Sequence, residues 1–369
     1  MSTPQIEIQL IASVVAATCA LPGVFLILRR MAMMSDAISH AILLGIVLAF
    51  FVTKDITSPL LVIAATLTGV FTVSLVEMLN RTQLVKEDAA IGIVFPVLFS
   101  IGVILISRYA GSVHLDTDAV LLGELAFAPF NRFIVLGHDL GPKSLYVMGT
   151  ILLLNVIFIA VFFKELKLAT FDSGLAAALG FSPGLIHYCL MTLVSVTAVG
   201  AFDAVGSILV VALMIAPPAT AYLLTDRLTG MVILSALIGV VCALSGYWLA
   251  HALDASIAGS MATVTGILFF TTFLLAPTRG LIPLARRRSR QKREFAVSML
   301  TVHLCHHEGL AEAAYENQID HLHRFLKWDV SFTDQVVKRA ERDALIVRDD
   351  GLLKLTVKGR EFARRAMSV

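Results

Sequence analysis

The chain has 369 residues, 57% of them hydrophobic and only 15% charged, with a formal net charge of +2. Soluble domains are nearer about 25% charged, so this composition excludes a disordered protein, a nucleic-acid coat and a disulfide-stapled secreted domain, and it indicates several membrane spans. The small net charge averages two unlike parts, a balance of −3 over residues 1–285 and of +5 over residues 286–369.

Met1 to Gln9 carry no Lys or Arg. The positive stretch of a cleaved signal peptide is missing, so the first apolar run reads as a retained span. Crossing the hydrocarbon takes roughly 20 apolar residues as a helix. Runs of that kind fall at 8–28, 31–52, 58–79, 89–107, 144–163, 187–203, 206–224, 228–250 and 261–277. They predict an all-α polytopic membrane fold of about eight or nine transmembrane helices. The stretch 117–137 carries Asp118, Glu124, Pro129 and Arg132, and reads as an extracytoplasmic or re-entrant piece. Basic residues arbitrate the orientation. Arg29, Arg30, Arg81, Lys86, Lys164, Lys167, Arg227 and the cluster 279–293 all fall on one side if 187–203 and 206–224 are two crossings. That places the N-terminus outside and the C-terminus in the cytoplasm. Cys19, Cys189, Cys242 and Cys305 form no CxxC pair, so neither a disulfide framework nor a thiolate zinc knuckle is indicated.

Charges near the bilayer centre cost on the order of 2.5–3.5 kcal/mol on insertion scales, so polar residues within spans are pathway candidates. Asp36 and His40 are four apart and share a helix face. With a helix starting at Met31, His40 sits roughly 14 Å in. A carboxylate with an imidazole suits Mn²⁺, Zn²⁺ or Fe²⁺, and would need further donors from another helix or subunit. The same residues also read as a helix start, with Ser35 or Asp36 as the cap, or as a buried hydrogen-bonded pair. Asp203 flanks an outer loop, where an acid would raise local cation concentration. Glu77 and Asn155 read as structural. Pro217 and Pro218 read as a packing kink.

Several segments then resemble the permeases of manganese, zinc and iron ABC importers. They are Met34-Ser-Asp-Ala-Ile-Ser-His-Ala-Ile-Leu-Leu-Gly45, Ala89–Phe95, Leu121-Leu-Gly-Glu-Leu125, Phe171-Asp172 with Ala178-Leu-Gly180, and Ala204–Val210 with Ile215–Ala221. Their order holds along 1–280, about three quarters of the chain. The resemblance implies a type II importer architecture whose Asp36 and His40 line the metal path. It implies a coupling segment over about 165–186, with Phe171, Asp172, Leu179 and Gly180 docking on a separate ATPase subunit. It also implies an extracytoplasmic metal-binding receptor, a second permease subunit (identical or not) and the bacterial cytoplasmic membrane. No cofactor is expected to be bound permanently. Mn²⁺, Zn²⁺ or Fe²⁺ is the cargo, and ATP is used by the partner. The chain has no GxxxxGK[ST], so ATP hydrolysis is not expected of it. A membrane-tethered transcription regulator and an ATPase-independent secondary transporter are the alternatives.

Arg286-Arg-Arg-Ser-Arg-Gln-Lys-Arg293 reads as a basic linker against anionic lipid. Beyond it, 294–369 predicts helix, helix, hairpin and helix, with Asp350-Gly351 as the hairpin turn. This pattern resembles the winged helix of metal-responsive repressors. The part beyond 293 holds 11 basic and 12 acidic residues, which argues against a nucleic-acid partner. His303, His306, His307, Glu308 and Glu312 are candidates for a regulatory metal site; if the stretch is helical, His303 and His307 share one face and Glu308, Glu312 and Glu316 share another. Solvated surface is the other reading of the same residues.

Overall fold

A computed structural model describes residues 3–55, 58–109, 125–135, 138–309, 313–349 and 351–367. Two compact units divide the chain, Met1–Arg279 and Gly280–Val369. The boundary falls a few residues before the expected 285.

The first unit is built of helices. In chain order they are α1 Thr3–Leu28, α2 Met33–Thr53, α3 Pro59–Arg81, α4 Glu87–Tyr109, α5 Lys143–Val161, α6 Phe163–Phe171, α7 Ser173–Ala178, α8 Pro183–Val205, α9 Ser207–Leu224, α10 Leu228–Leu253 and α11 Ile257–Leu275. Among the described residues nine of them, all but α6 and α7, are long and apolar enough to cross a membrane. The close pair 187–203 and 206–224 is indeed two helices, broken at Gly206, whose φ of 79° only glycine adopts at little cost.

The stretch 125–135 is no span. It forms a 3₁₀ turn at Leu125–Phe130, then strand β1 Arg132–Val135, which pairs antiparallel with β2 His138–Pro142. Arg132 reaches Glu7 near the start of α1 and Asp139 across the hairpin. Leu121 to Glu124 lie outside the described residues.

Helix α1 is the hub, packed against α5, α8, α9 and α10, while α2, α3 and α4 form a second group that α8 bridges. Without a hydrophobic drive between helices in lipid, close fit decides which faces meet. Gly23 lets α1 approach α9 so closely that a Cβ there would lie 2.1 Å from the Met214 carbonyl oxygen. That carbonyl would ordinarily accept from residue 218, but Pro218 has no N–H. Pro218 thus serves the close approach of the two helices. Asn155 is buried between helices, donating from Nδ2 to the Thr18 carbonyl (3.0 Å) and to Thr197 Oγ1 (3.1 Å).

The second unit comprises α12 Leu281–His307, α13 Ala313–Glu316, α14 Ile319–Phe325, α15 Val330–Arg342, β3 Ile346–Asp349, β4 Leu352–Leu355 and α16 Val357–Met367. Its core gathers Val297, Leu300 and Leu304 of α12 with Leu322, Val336, Val337, Ile346, Leu353 and Leu355. The hairpin has register Ile346↔Leu355 and Asp349↔Leu352, with Gly351 in its turn at φ 80°; Asp350 lies outside the described residues. The basic run 286–293 is part of α12 rather than a linker, because good helix formers with no Gly or Pro continue from Leu284 into the core face.

Candidate functional site

Helix α2 begins at Met33 with Ala32 in the N-cap position and no side-chain cap, so Ser35 and Asp36 lie inside its first turn and neither is the cap. The Ser35 hydroxyl donates to the Ala32 carbonyl. His40 Nε2 stands 3.4 Å from Asp36 Oδ1, and the two side chains keep 28% and 29% of their surface exposed. The imidazole also lies against Phe95 and Phe99 of α4, at centroid distances of 5.9 and 5.8 Å. The later helix start puts His40 about 10 Å along α2, a third of its length, rather than about 14 Å.

The same end of the first unit holds a group that sequence reasoning had dispersed. A cavity of about 190 Å³ is lined by Met31, Met34, Glu77, Asn80 and His187, among others. Beside it, Arg29 donates from Nε to Thr170 Oγ1 (3.2 Å) and its Nη1 lies 3.3 Å from His187 Nδ1. Burial lowers the Arg29 pKa from its ordinary value. Arg29 counted only as a marker of orientation in the sequence, and a lone arginine gives no signal of its partners. Through Thr170 it ties α6 to the ends of α1 and α8. Glu77 pairs with Arg81 at 2.6 Å.

Phe171, Asp172, Leu179 and Gly180 lie in and around the short helices α6 and α7, and all four are exposed. Asp172 caps α7, its Oδ1 accepting from the Leu175 N–H at 2.8 Å. Gly180 has φ 86° and ends the helix. Asp203 is exposed in the last turn of α8, sixteen residues beyond His187 and thus about 24 Å further along the helix. The structure does not bring it to Asp36 and His40.

Of the second-unit candidates, His303 and His307 come together with Glu316, one donor atom of each lying within 4.8 Å of the others. His306 stands edge-on to His307. Glu308 is instead held by Arg360, and Glu312 lies outside the described residues. Burial first, and then the charge of His307, lower the His303 pKa and favour its neutral form. Among the described residues no other group of three His, Cys, Asp or Glu side chains has this spacing, so the membrane pair stands as two donors.

Residues 5–276 match the ABC 3 transport family. The chain belongs to that family. It is the membrane permease component of an ABC importer and not an enzyme; ATP hydrolysis belongs to a separate subunit. Its relatives divide at the second unit. The zinc transport system membrane protein TroD of Treponema pallidum is 46% identical over 98% of this chain and 99% of its own length. The manganese transport system membrane protein MntD of Bacillus subtilis is 49% identical over 76% of this chain and 95% of its own. That relative is thus too short to contain both units. Among solved structures, PsaBC from Streptococcus pneumoniae, in complex with Fab, aligns with a TM-score of 0.64 at 28% identity, over 77% of this chain and 96% of that one.

Proposed function

We propose that this permease moves a divalent transition metal, Mn²⁺, Zn²⁺ or Fe²⁺, into the cytoplasm past Asp36 and His40. The observation that carries the reading is the half-exposed pair itself. An ionisable pair on the flank of a spanning helix would be costly against lipid, so it faces water or a partner chain. Two donors leave a transition metal's coordination incomplete. A second permease subunit, identical or not, would supply the remainder. The two relatives named above differ in metal, one being called a zinc and the other a manganese system.

The basic residues support an N-terminus outside and a C-terminus in the cytoplasm of a bacterial inner membrane. With that orientation the exposed segment around Phe171, Asp172, Leu179 and Gly180 faces the cytoplasm, where a partner ATPase would dock. Arg29 would pass its movement to α1 and α8. Asp203, at the other mouth, would meet metal released by an external receptor. The second unit reads as a winged-helix-like accessory domain, and its near-neutral charge beyond residue 293 argues against nucleic acid.

Cells carrying the complete transport system test the path. Asp36→Ala with His40→Ala should reduce accumulation of the cargo metal to the level of cells without the permease, with the protein still present in the membrane. Wild-type accumulation in that double variant sinks the assignment.

A further inference from the structure

One cluster plays no part in this transport path. His303 and His307 lie one turn apart on α12, with ring centroids 4.7 Å apart. Glu316, the last residue of α13, brings Oε2 to 2.8 Å from His307 Nδ1. All three residues are half-buried. His303 Nε2 is buried with no hydrogen-bond partner among the described residues. A buried polar atom left unpaired is costly, and a bound ion would satisfy it. The aromatic ring of Phe325 stands 6.3 Å from that of His303.

We infer that His303, His307 and Glu316 bind one divalent transition-metal ion in the second unit. Two imidazoles and one carboxylate form a three-ligand set that leaves positions for water. Such mixed nitrogen and oxygen donors take Zn²⁺ more tightly than Mn²⁺, and they disfavour Mg²⁺ and Ca²⁺, which seek oxygen alone. Spacing on the helix supplies two ligands, and the short helix α13 returns the chain to supply the third. His306 is outside the set, and Arg360 holds Glu308 away from it. The site rests on this geometry and not on the Asp36–His40 reading. Its role does rest on the proposed topology, by which it samples metal on the side where cargo arrives.

The test uses the full chain, purified in detergent, stripped by a chelator and titrated with Co²⁺. A chain already carrying Asp36→Ala and His40→Ala serves as the parent, so that metal in the membrane path is not counted. The parent is expected to bind one Co²⁺ with the visible absorption of a low-coordinate nitrogen and oxygen site. Zn²⁺ should displace it and excess Mg²⁺ should not. Adding His303→Ala and His307→Ala should abolish that equivalent. Glu316→Gln, which keeps the size of the side chain, should weaken binding at least about tenfold. His306→Ala should leave it unchanged. Binding that is the same in the His303→Ala/His307→Ala chain or in the Glu316→Gln chain would make the cluster a hydrogen-bonding network and overturn the inference. Failure here leaves the transport path standing, because uptake by the Asp36 and His40 variants reports that separately.

Discussion

In the first unit the hydroxyls of Thr18, Ser39, Thr72 and Thr265 each donate to the carbonyl four residues back in their own helix. In the second unit Arg348 reaches Glu341, Arg339 reaches Glu294 and Arg360 reaches Glu308, each joining different elements. The difference follows from the surroundings. Inside a bilayer no water satisfies a stray hydroxyl, so the nearest backbone carbonyl takes it. Cohesion between those helices then depends on how closely their backbones fit. In water, amphipathic helices bury one face, and charges are free to decorate the other. The second unit should therefore suffer most from side chains made too small, and the first from side chains made too large.

The largest effect is expected in the second unit. Leu300 is fully buried at the centre of its core. Leu300→Ala should destabilise that unit by about 2–5 kcal/mol, through lost burial and the cavity left behind. Trp328 packs against the same core and reports it by fluorescence once Trp248, an exposed residue of α10, is replaced by Phe. The denaturation midpoint followed by Trp328 should fall. An unchanged midpoint would mean that this core does not hold the unit together.

Legibility in the sequence divides along the same line. Run length marked nine apolar runs, because about 20 apolar residues leave few other possibilities, but counting 187–203 and 206–224 as two crossings also took the distribution of basic residues. It could not say which faces meet, since helices apolar all round carry no stripe to read. Arg29, Thr170 and His187 are therefore a group only the folded chain reveals: they lie 141 and 158 residues apart. In the second unit alternation and the Asp350-Gly351 turn gave the hairpin directly. The metal-like cluster was half visible. His303 and His307 follow from helical spacing on α12, whereas Glu316 lies on the separate helix α13. Spacing groups Glu316 with Glu308 and Glu312 on one helical face, and of the three only Glu316 joins the histidines. Asp36 and His40 were legible as a pair, but the helix start was misplaced by two residues because Met31 and Ala32 are as apolar as the first residues of the helix itself.

A smaller effect, of opposite kind, is expected at Gly23. A valine there would press its Cβ against the Met214 carbonyl and the Pro218 ring. The helices α1 and α9 must then separate, at about 1–3 kcal/mol. Gly149 of α5 is the control, because a Cβ added there meets nothing within 4 Å. Thermal stability in detergent should drop for Gly23→Val and hold for Gly149→Val. Equal tolerance of both would remove backbone fit as the reason for the first unit's cohesion.

The smallest effect tests an exception to the comparison. Asn155 is a side chain of the first unit that bonds between helices rather than within one, linking α5 to the Thr18 carbonyl of α1 and to Thr197 of α8. Hydrogen bonds between membrane helices contribute about 0.6 kcal/mol on average and at most about 1.7. The unfolded chain in a bilayer also finds partners for its polar groups, which keeps the difference small. A double-mutant cycle of Asn155→Ala and Thr197→Ala isolates the pair. Its coupling energy should fall within that range, well below the loss at Leu300. A coupling near zero would make Asn155 a space-filling residue, and close fit would then account for how α5 meets α1 and α8. A coupling comparable to the Leu300 loss would mean that polar cross-links govern both units, and the contrast between them would collapse.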